Sequence, residues 1–307
     1  MRGLLRSVIL LAALTGGGYA GLRAWPIGED ASRITLDGDA RRGAYLARAA
    51  GCVACHTDTA AQGPAMAGGA PLDTPFGSFV PPNITPDFTH GIGGWSKYDL
   101  ARALREGISP EGQPYYPAFP FEFYAGFSDQ DIADLWAALA TVPPVAETRG
   151  ENDMRFPFSM RSGLKLWRAT ALLEAESAPV LGRSDDWNRG RELVEGAAHC
   201  GACHTGRGLL GGLDADSFGG NDDLPGGSAA PSIRAADLKE DGWTASALAY
   251  ALETGITPSG DVFGGSMAEV VEQGTSFLDE ADRRAIATYL LDAAPVPSDP
   301  DALAQLR

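Results

Sequence analysis

The chain has 307 residues, 24 Lys+Arg against 40 Asp+Glu, and a formal net charge of −16. So acidic a chain repels polyanions, which excludes nucleic acid as a partner, and its length suggests about two domains. The charge is uneven: residues 1–150 hold 11 cations and 15 acids, net −4, whereas residues 151–307 hold 13 and 25, net −12.

Met1-Arg2-Gly3-Leu4-Leu5-Arg6 precedes an uncharged, mostly apolar run from Ser7 to Leu22. A basic end followed by an apolar stretch has the form of an export signal. The run's 16 residues are few for a spanning helix, and Gly16, Gly17, Gly18 and Gly21 weaken it further. Two fates stay open: cleavage after Gly18-Tyr19-Ala20, or retention as an anchor with Arg23-Ala24-Trp25-Pro26 at the interface. Retention is favoured. Residues 1–30 are therefore expected to be a signal peptide or membrane anchor. The body is expected in the periplasm, held at the inner membrane or released there after cleavage.

A helix carrying Tyr45 and Leu46 is expected next, and it leads into Cys52-Val53-Ala54-Cys55-His56. The same motif returns as Cys200-Gly201-Ala202-Cys203-His204, and the two copies use all four cysteines. Two thiols three positions apart can add across the two vinyl groups of one porphyrin, and the next imidazole can then bind its iron. Two C-x-x-C pairs could instead share one zinc ion. The histidine after each pair, their wide separation and the export-like N-terminus favour haem. The cysteines Cys52, Cys55, Cys200 and Cys203 are thus expected to hold two covalent haem c groups, with His56 and His204 as proximal iron ligands. No thiol is left for a disulfide.

The duplication extends beyond the motifs. An offset of 148 relates Cys52 to Cys200, Trp95 to Trp243, Gly107 to Gly255 and Gly112 to Gly260. In each copy a helix is predicted from Ser96 or Thr244 as N-cap to Gly107 or Gly255 at its C-terminal end. A last helix follows, opened by Ser128-Asp129-Gln130-Asp131 or Asp279-Glu280-Ala281-Asp282 and stopped by prolines at 143, 144, 295 and 297. The Gly/Pro-rich stretches 63–87 and 208–231 read as loops around the haem edges rather than strands. Between the copies, Phe156-Pro157-Phe158 leads into Leu164, Leu166, Trp167 and Leu172, too apolar for a loose tether, so a helix is expected there. The expected organisation is all-α: domain 1 over 31–146, a partly helical linker over 147–183, domain 2 over 184–298 and a tail over 299–307.

The run Gly68-Gly69, Thr74-Pro75-Phe76-Gly77, Pro82-Asn83-Ile84-Thr85-Pro86-Asp87 and Gly91-Ile92-Gly93-Gly94-Trp95-Ser96 resembles the class I cytochrome c domains of the multihaem subunits of bacterial membrane-bound alcohol and gluconate dehydrogenases. The resemblance continues through Pro117-Ala118-Phe119-Pro120, Val142-Pro143-Pro144-Val145 and Gly264-Gly265-Ser266-Met267, covering nearly all of the chain after the signal. It implies two tandem class I domains. Those subunits carry three haems where this chain has two motifs, and they read Pro-Ala-Met-Pro where this chain has Phe119.

Met267 lies 63 residues after His204, in a loop between the second and third helical segments, where a class I cytochrome presents its distal thioether; the resemblance makes it the sixth ligand of haem 2. Phe119 lies the same 63 residues after His56 and has no lone pair. Haem 1 is then either five-coordinate or ligated from elsewhere, with His90, Met66 and Met160 as candidates and Met154 as a further linker thioether. His199, next to Cys200, is expected to bond backbone or a propionate rather than iron. Tyr115, Tyr116, Phe121 and Phe123 suggest an aromatic distal wall.

The resemblance implies electron transfer from a dehydrogenase toward a terminal oxidase or soluble cytochrome in a respiratory chain, without independent catalysis. The acidic second half suits docking to a basic redox protein and equally a solvated surface. The alternative is a haem enzyme or sensor that binds peroxide or NO at an open haem 1, with haem 2 as relay; Glu122 or His90 is then the nominated acid or base.

Overall fold

The structure is a computed structural model that describes residues 7, 16–28, 33–147, 150–171 and 178–292. Half of the expected N-terminal apolar run, the end of the second domain and the tail lie outside the described residues. Among those described, no helix is long and apolar enough to cross a membrane.

The first half is built on α1 (Ala40–Ala49), capped by the Asp39 carboxylate, which accepts from the backbone N–H of Arg41 and Arg42. Then come the short turn α2 (Cys52–His56), α3 (Lys97–Ala101, continued as a π-turn over Arg102–Glu106), α4 (Phe121–Tyr124) and α5 (Asp129–Leu139). Ser96 and Ser128 each form a full capping box, with Asp99 and Asp131, and Gly107 ends the third segment at φ +61. α1 crosses α5 so closely that a Cβ on Gly43 would sit 1.8 Å from the Asp134 carbonyl oxygen. Only glycine fits there. The contact is locked by Asp134, whose carboxylate accepts from the Asp39 N–H at 2.7 Å and Arg42 Nε at 2.8 Å.

After the linker, the pattern repeats. α7 (Asp185–Glu192, with a π-turn over Leu193–Ala197) leads to α8 (Gly201–His204), α9 (Ala235–Glu240), α10 (Ala245–Thr254), α11 (Gly265–Gln273) and α12 (Glu280–Asp292). Thr244 caps α10 and Gly255 ends it at φ +77, as the spacing predicts. α7 crosses α12 at Gly190, where a Cβ would meet the Ala285 carbonyl oxygen at 2.0 Å.

The stretch 63–87 departs from expectation and is not all loop. β1 (Leu72–Thr74) and β2 (Gly77–Phe79) form an antiparallel hairpin, and β3 (Asp153–Met154) adds at the β2 edge. The all-α expectation is corrected to that extent. Thr74-Pro75-Phe76-Gly77 makes the turn: Thr74 Oγ1 donates to the Gly77 carbonyl at 2.7 Å, and Gly77 adopts φ +138. Stretch 208–231 contains only isolated bridges and the single 3-10 turn Pro225–Gly227.

The segment between the halves contains β3 and α6 (Gly163–Ala171), and it touches both sides. Phe158 O accepts from Tyr116 Oη at 2.8 Å, and the Arg168 guanidinium lies 5.1 Å from the Phe121 ring centre. On the other side, Trp167 Nε1 donates to Leu210 O at 3.0 Å. One continuous core runs from Ile34, Leu100 and Leu135 through Tyr124 to Leu193, Leu252 and Ile286.

Candidate functional site

Each C-x-x-C-H motif forms one helical turn, which puts residues three apart on one side and the histidine next to them. Pro82 O lies 2.7 Å from His56 Nδ1, and Pro231 O lies 2.7 Å from His204 Nδ1. A carbonyl can only accept, so the proton sits on Nδ1 and the Nε2 lone pair is left for a metal. Desolvation holds both imidazoles below the ordinary histidine pKa, while the carbonyl partner pulls the other way. Neutral rings result, oriented by the carbonyl on Nδ1 as an iron-binding imidazole requires.

The four cysteines are free. Desolvation, followed by the neighbouring Cys55 thiol, pushes Cys52 up to about 12. Cys200 is likewise pushed to about 12, and Cys55 reaches about 11. Before attachment, that burial favours the neutral thiol, the form that adds to a vinyl group. Among the described residues, no three His, Cys, Asp or Glu side chains converge on a common metal position. The pairs therefore do not build a shared zinc site, and the residues present fit a covalent haem at each motif.

The two motifs are neighbours in space. Cys55 carries a secondary upward shift from Cys203 and Glu269, and α2 packs against α11. In return α4 packs on the π-turn ahead of the second motif. His199 is the wedge between them: its Cε1 lies 3.1 Å from where a Gly51 Cβ would be, and its ring is 5.7 Å from that of Tyr124. It adopts φ +38, and Ala197 O lies 2.8 Å from its Nδ1. The expected backbone bond is present; the packing against Gly51 was not legible from sequence.

Met267 is half-buried against the core. It stands not in a loop, as expected, but as the third residue of α11. Gly264 is extended and Gly265 takes φ +53, so this glycine pair turns the chain directly into a helix. Phe119 is half-buried in a ring cluster, 5.7 Å from Tyr115, 5.9 Å from Tyr124 and 6.5 Å from Phe121 between ring centres. Burial raises the Tyr115 hydroxyl to about 12.

The other haem 1 candidates lie apart. His90 is held at the surface by Asp87, whose carboxylate oxygen is 3.0 Å from Nδ1 and also accepts from the His90 N–H at 2.7 Å. Met160 is exposed in the linker and Met154 half-buried in β3. Met66 is 5% exposed, at φ +59, with its N–H on Thr57 Oγ1 and its carbonyl accepting from Ile84 N. Phe218 matches it bond for bond, at φ +62, with Thr205 Oγ1 and Ile233 N as partners. Met66 therefore holds the backbone position that Phe218 holds in the second half. Glu122, on α4, has a buried Oε2 with no hydrogen-bond partner; desolvation raises its pKa, and the Arg207 guanidinium of the second half opposes this.

No family model matches the chain. It is 43% identical over 293 residues to the diheme cytochrome c-type protein of Cereibacter sphaeroides, covering 91% of this chain and 95% of that one. It is 40% identical over 260 residues to the gluconate 2-dehydrogenase cytochrome c subunit of Pantoea cypripedii, and 39% over 254 to the fructose dehydrogenase cytochrome subunit of Gluconobacter japonicus. Each of these two matches takes in 81% of this chain but only 58% and 51% of the respective relative, so the chain spans little more than half their length. With near full-length identity to a dihaem protein and two matching attachment turns, the chain belongs to the c-type cytochromes of dihaem composition and carries two covalently bound haem c groups.

Proposed function

We propose that the chain is a periplasmic, inner-membrane-associated electron carrier that accepts electrons from a dehydrogenase and delivers them to a soluble cytochrome or terminal oxidase. Two tandem class I cytochrome c domains, over 31–146 and 184–298, do this work. Cys52 and Cys55 hold the first haem, Cys200 and Cys203 the second, and His56 and His204 are the proximal ligands. The bound haems supply one-electron redox chemistry. The chain fixes the two sites against each other, keeps the imidazoles neutral and aimed, and excludes water from the thioether side. Met267 supplies a thioether to haem 2, which raises its potential relative to a nitrogen-ligated iron. The observation that carries the reading is the duplicated imidazole-to-carbonyl bond, 2.7 Å in both motifs, on two turns that share one core. The dehydrogenase partner is supported by the relatives named as cytochrome subunits of such enzymes.

Phe119 favours a second reading for haem 1. Its ring stands at the position matching Met267, boxed in by Tyr115, Phe121 and Tyr124, and offers no donor. Haem 1 is then open to a small ligand such as NO or peroxide, with Glu122 as the nearest nominated acid. The test is the optical spectrum of the ferrous full chain with and without carbon monoxide, on wild type, Phe119→Met and Met267→Ala. Two haems that ignore carbon monoxide in wild type leave a carrier alone. One haem that binds it in wild type, and none in Phe119→Met, assigns an open iron to the first domain.

A further inference from the structure

The acidic chain contains two basic, acid-free segments. Residues 1–28 hold Arg2, Arg6 and Arg23, and residues 154–173 hold Arg155, Arg161, Lys165 and Arg168, with no Asp or Glu in either. The structure brings their described parts, 16–28 and 154–171, together. The helix over 16–24, where the apolar run ends, is tied to α6 because Lys165 Nζ donates to the carbonyls of Arg23 at 2.8 Å and Trp25 at 2.5 Å.

Around this junction the surface is apolar. Every residue from Arg155 to Met160 is exposed, Phe156 at 80%, and Leu166 on α6 is exposed as well. The loop after the second motif joins them: Leu209 is 97% and Leu210 69% exposed, and Leu210 O accepts from Trp167 Nε1. Gly211 lies against the Phe76 ring, which makes an edge contact with Phe158 at 4.8 Å. Exposed aromatic and aliphatic side chains beside the exposed cations Arg23 and Arg155 fit the boundary of an anionic bilayer, where rings and chains enter the headgroup layer and cations meet phosphates. On a protein of charge −16, such a patch is a surface that an anionic membrane would not repel.

We infer that the loop Arg155–Met160, together with Leu166, Leu209 and Leu210, rests in the interface of an anionic phospholipid membrane and sets the orientation of the haem domains on it. The inference rests on membrane association through the N-terminus and adds a second contact that the N-terminal segment alone does not provide.

All four native cysteines are taken up by haem attachment, so a single introduced cysteine can be labelled uniquely. Full-length holoprotein carrying Phe156→Cys, Leu209→Cys or, as a control on the turn after α10, Val262→Cys would be nitroxide-labelled and bound to phosphatidylglycerol-containing vesicles. Accessibility to oxygen and to a water-soluble nickel chelate would then be compared. The expected result is a several-fold rise in the oxygen-to-nickel ratio at 156 and 209 on adding vesicles, with no change at 262. Labels at 156 and 209 that stay as open to nickel as 262, while the protein floats with the vesicles, overturn the inference and leave the N-terminal anchor intact. Protein that does not float overturns both. Shielding at 156 that needs an added dehydrogenase, and not lipid, reassigns the patch to a protein partner and also overturns it.

Discussion

Thioether and phenyl side chains are close in size and opposite in what they offer a metal, so Phe119 and Met267 divide the two haem sites more sharply than any other pair. Met267→Ala is expected to open the second haem to carbon monoxide and to lower its reduction potential, read by optical titration, with the first haem unchanged. Acidity gives a separate residue-scale test. The hydrogen bond from Arg42, with those from the Asp39 N–H and Gln130, holds the Asp134 carboxyl at about 2 against an ordinary 3.8. A carboxylate with a depressed folded pKa stabilises the fold above its unfolded pKa. That contribution is lost as pH falls from about 4 through about 2. Asp134→Asn should therefore flatten the acid limb of a stability-versus-pH curve in that window, measured by chemical denaturation. Motif residues were legible in the sequence because covalent attachment demands fixed types at fixed spacing. The match of Met66 to Phe218 was not, since only the three-dimensional backbone hydrogen bonds expose it.

Helix crossings at glycine define the elements. Gly43 over Asp134 and Gly190 over Ala285 bring two backbones together with no room for a methyl group. Gly43→Ala or Gly190→Ala is expected to force the pair apart and cost about 1–3 kcal/mol, the usual scale of overpacking, seen as a lower denaturation midpoint. Caps and C-terminal glycines were readable from the chain: Ser96, Ser128 and Thr244 start helices and Gly107 and Gly255 stop them, because these residues satisfy helix-end donors and left-handed backbone locally. The hairpin over Leu72–Phe79 was hidden for the opposite reason. Its strands are three residues each, and β2 gains its second partner from β3, 75 residues beyond it in the Ser78 to Asp153 pairing. Met267 was read as a loop residue from its place between two helical segments and from the resemblance, whereas Gly264 and Gly265 start α11 directly ahead of it.

At the scale of the molecule, the two motifs meet. Tyr45 Oη donates to Asp282 at 2.6 Å, Arg48 Nη1 donates to Gln273 O at 3.0 Å and lies over the Phe277 ring, and His199 fills the gap beside Gly51. Gly51→Ala puts a side chain on a φ of +67 and against the His199 ring, so a loss of about 1–2 kcal/mol from the backbone alone is expected in thermal or chemical unfolding. The duplication made two units legible. How they pack was not, because the contacts join residues 148 to 237 apart through side chains. Two sites in one core, with methionine at the matching position in only one of them, turn the proposed reading into a statement about potentials. A potentiometric titration of the purified full chain, followed at the haem absorption bands, tests it most directly. Two resolved one-electron steps are expected, the higher of which falls in Met267→Ala while the lower stays in place. A single unresolved wave, or two steps that both ignore Met267→Ala, would contradict it.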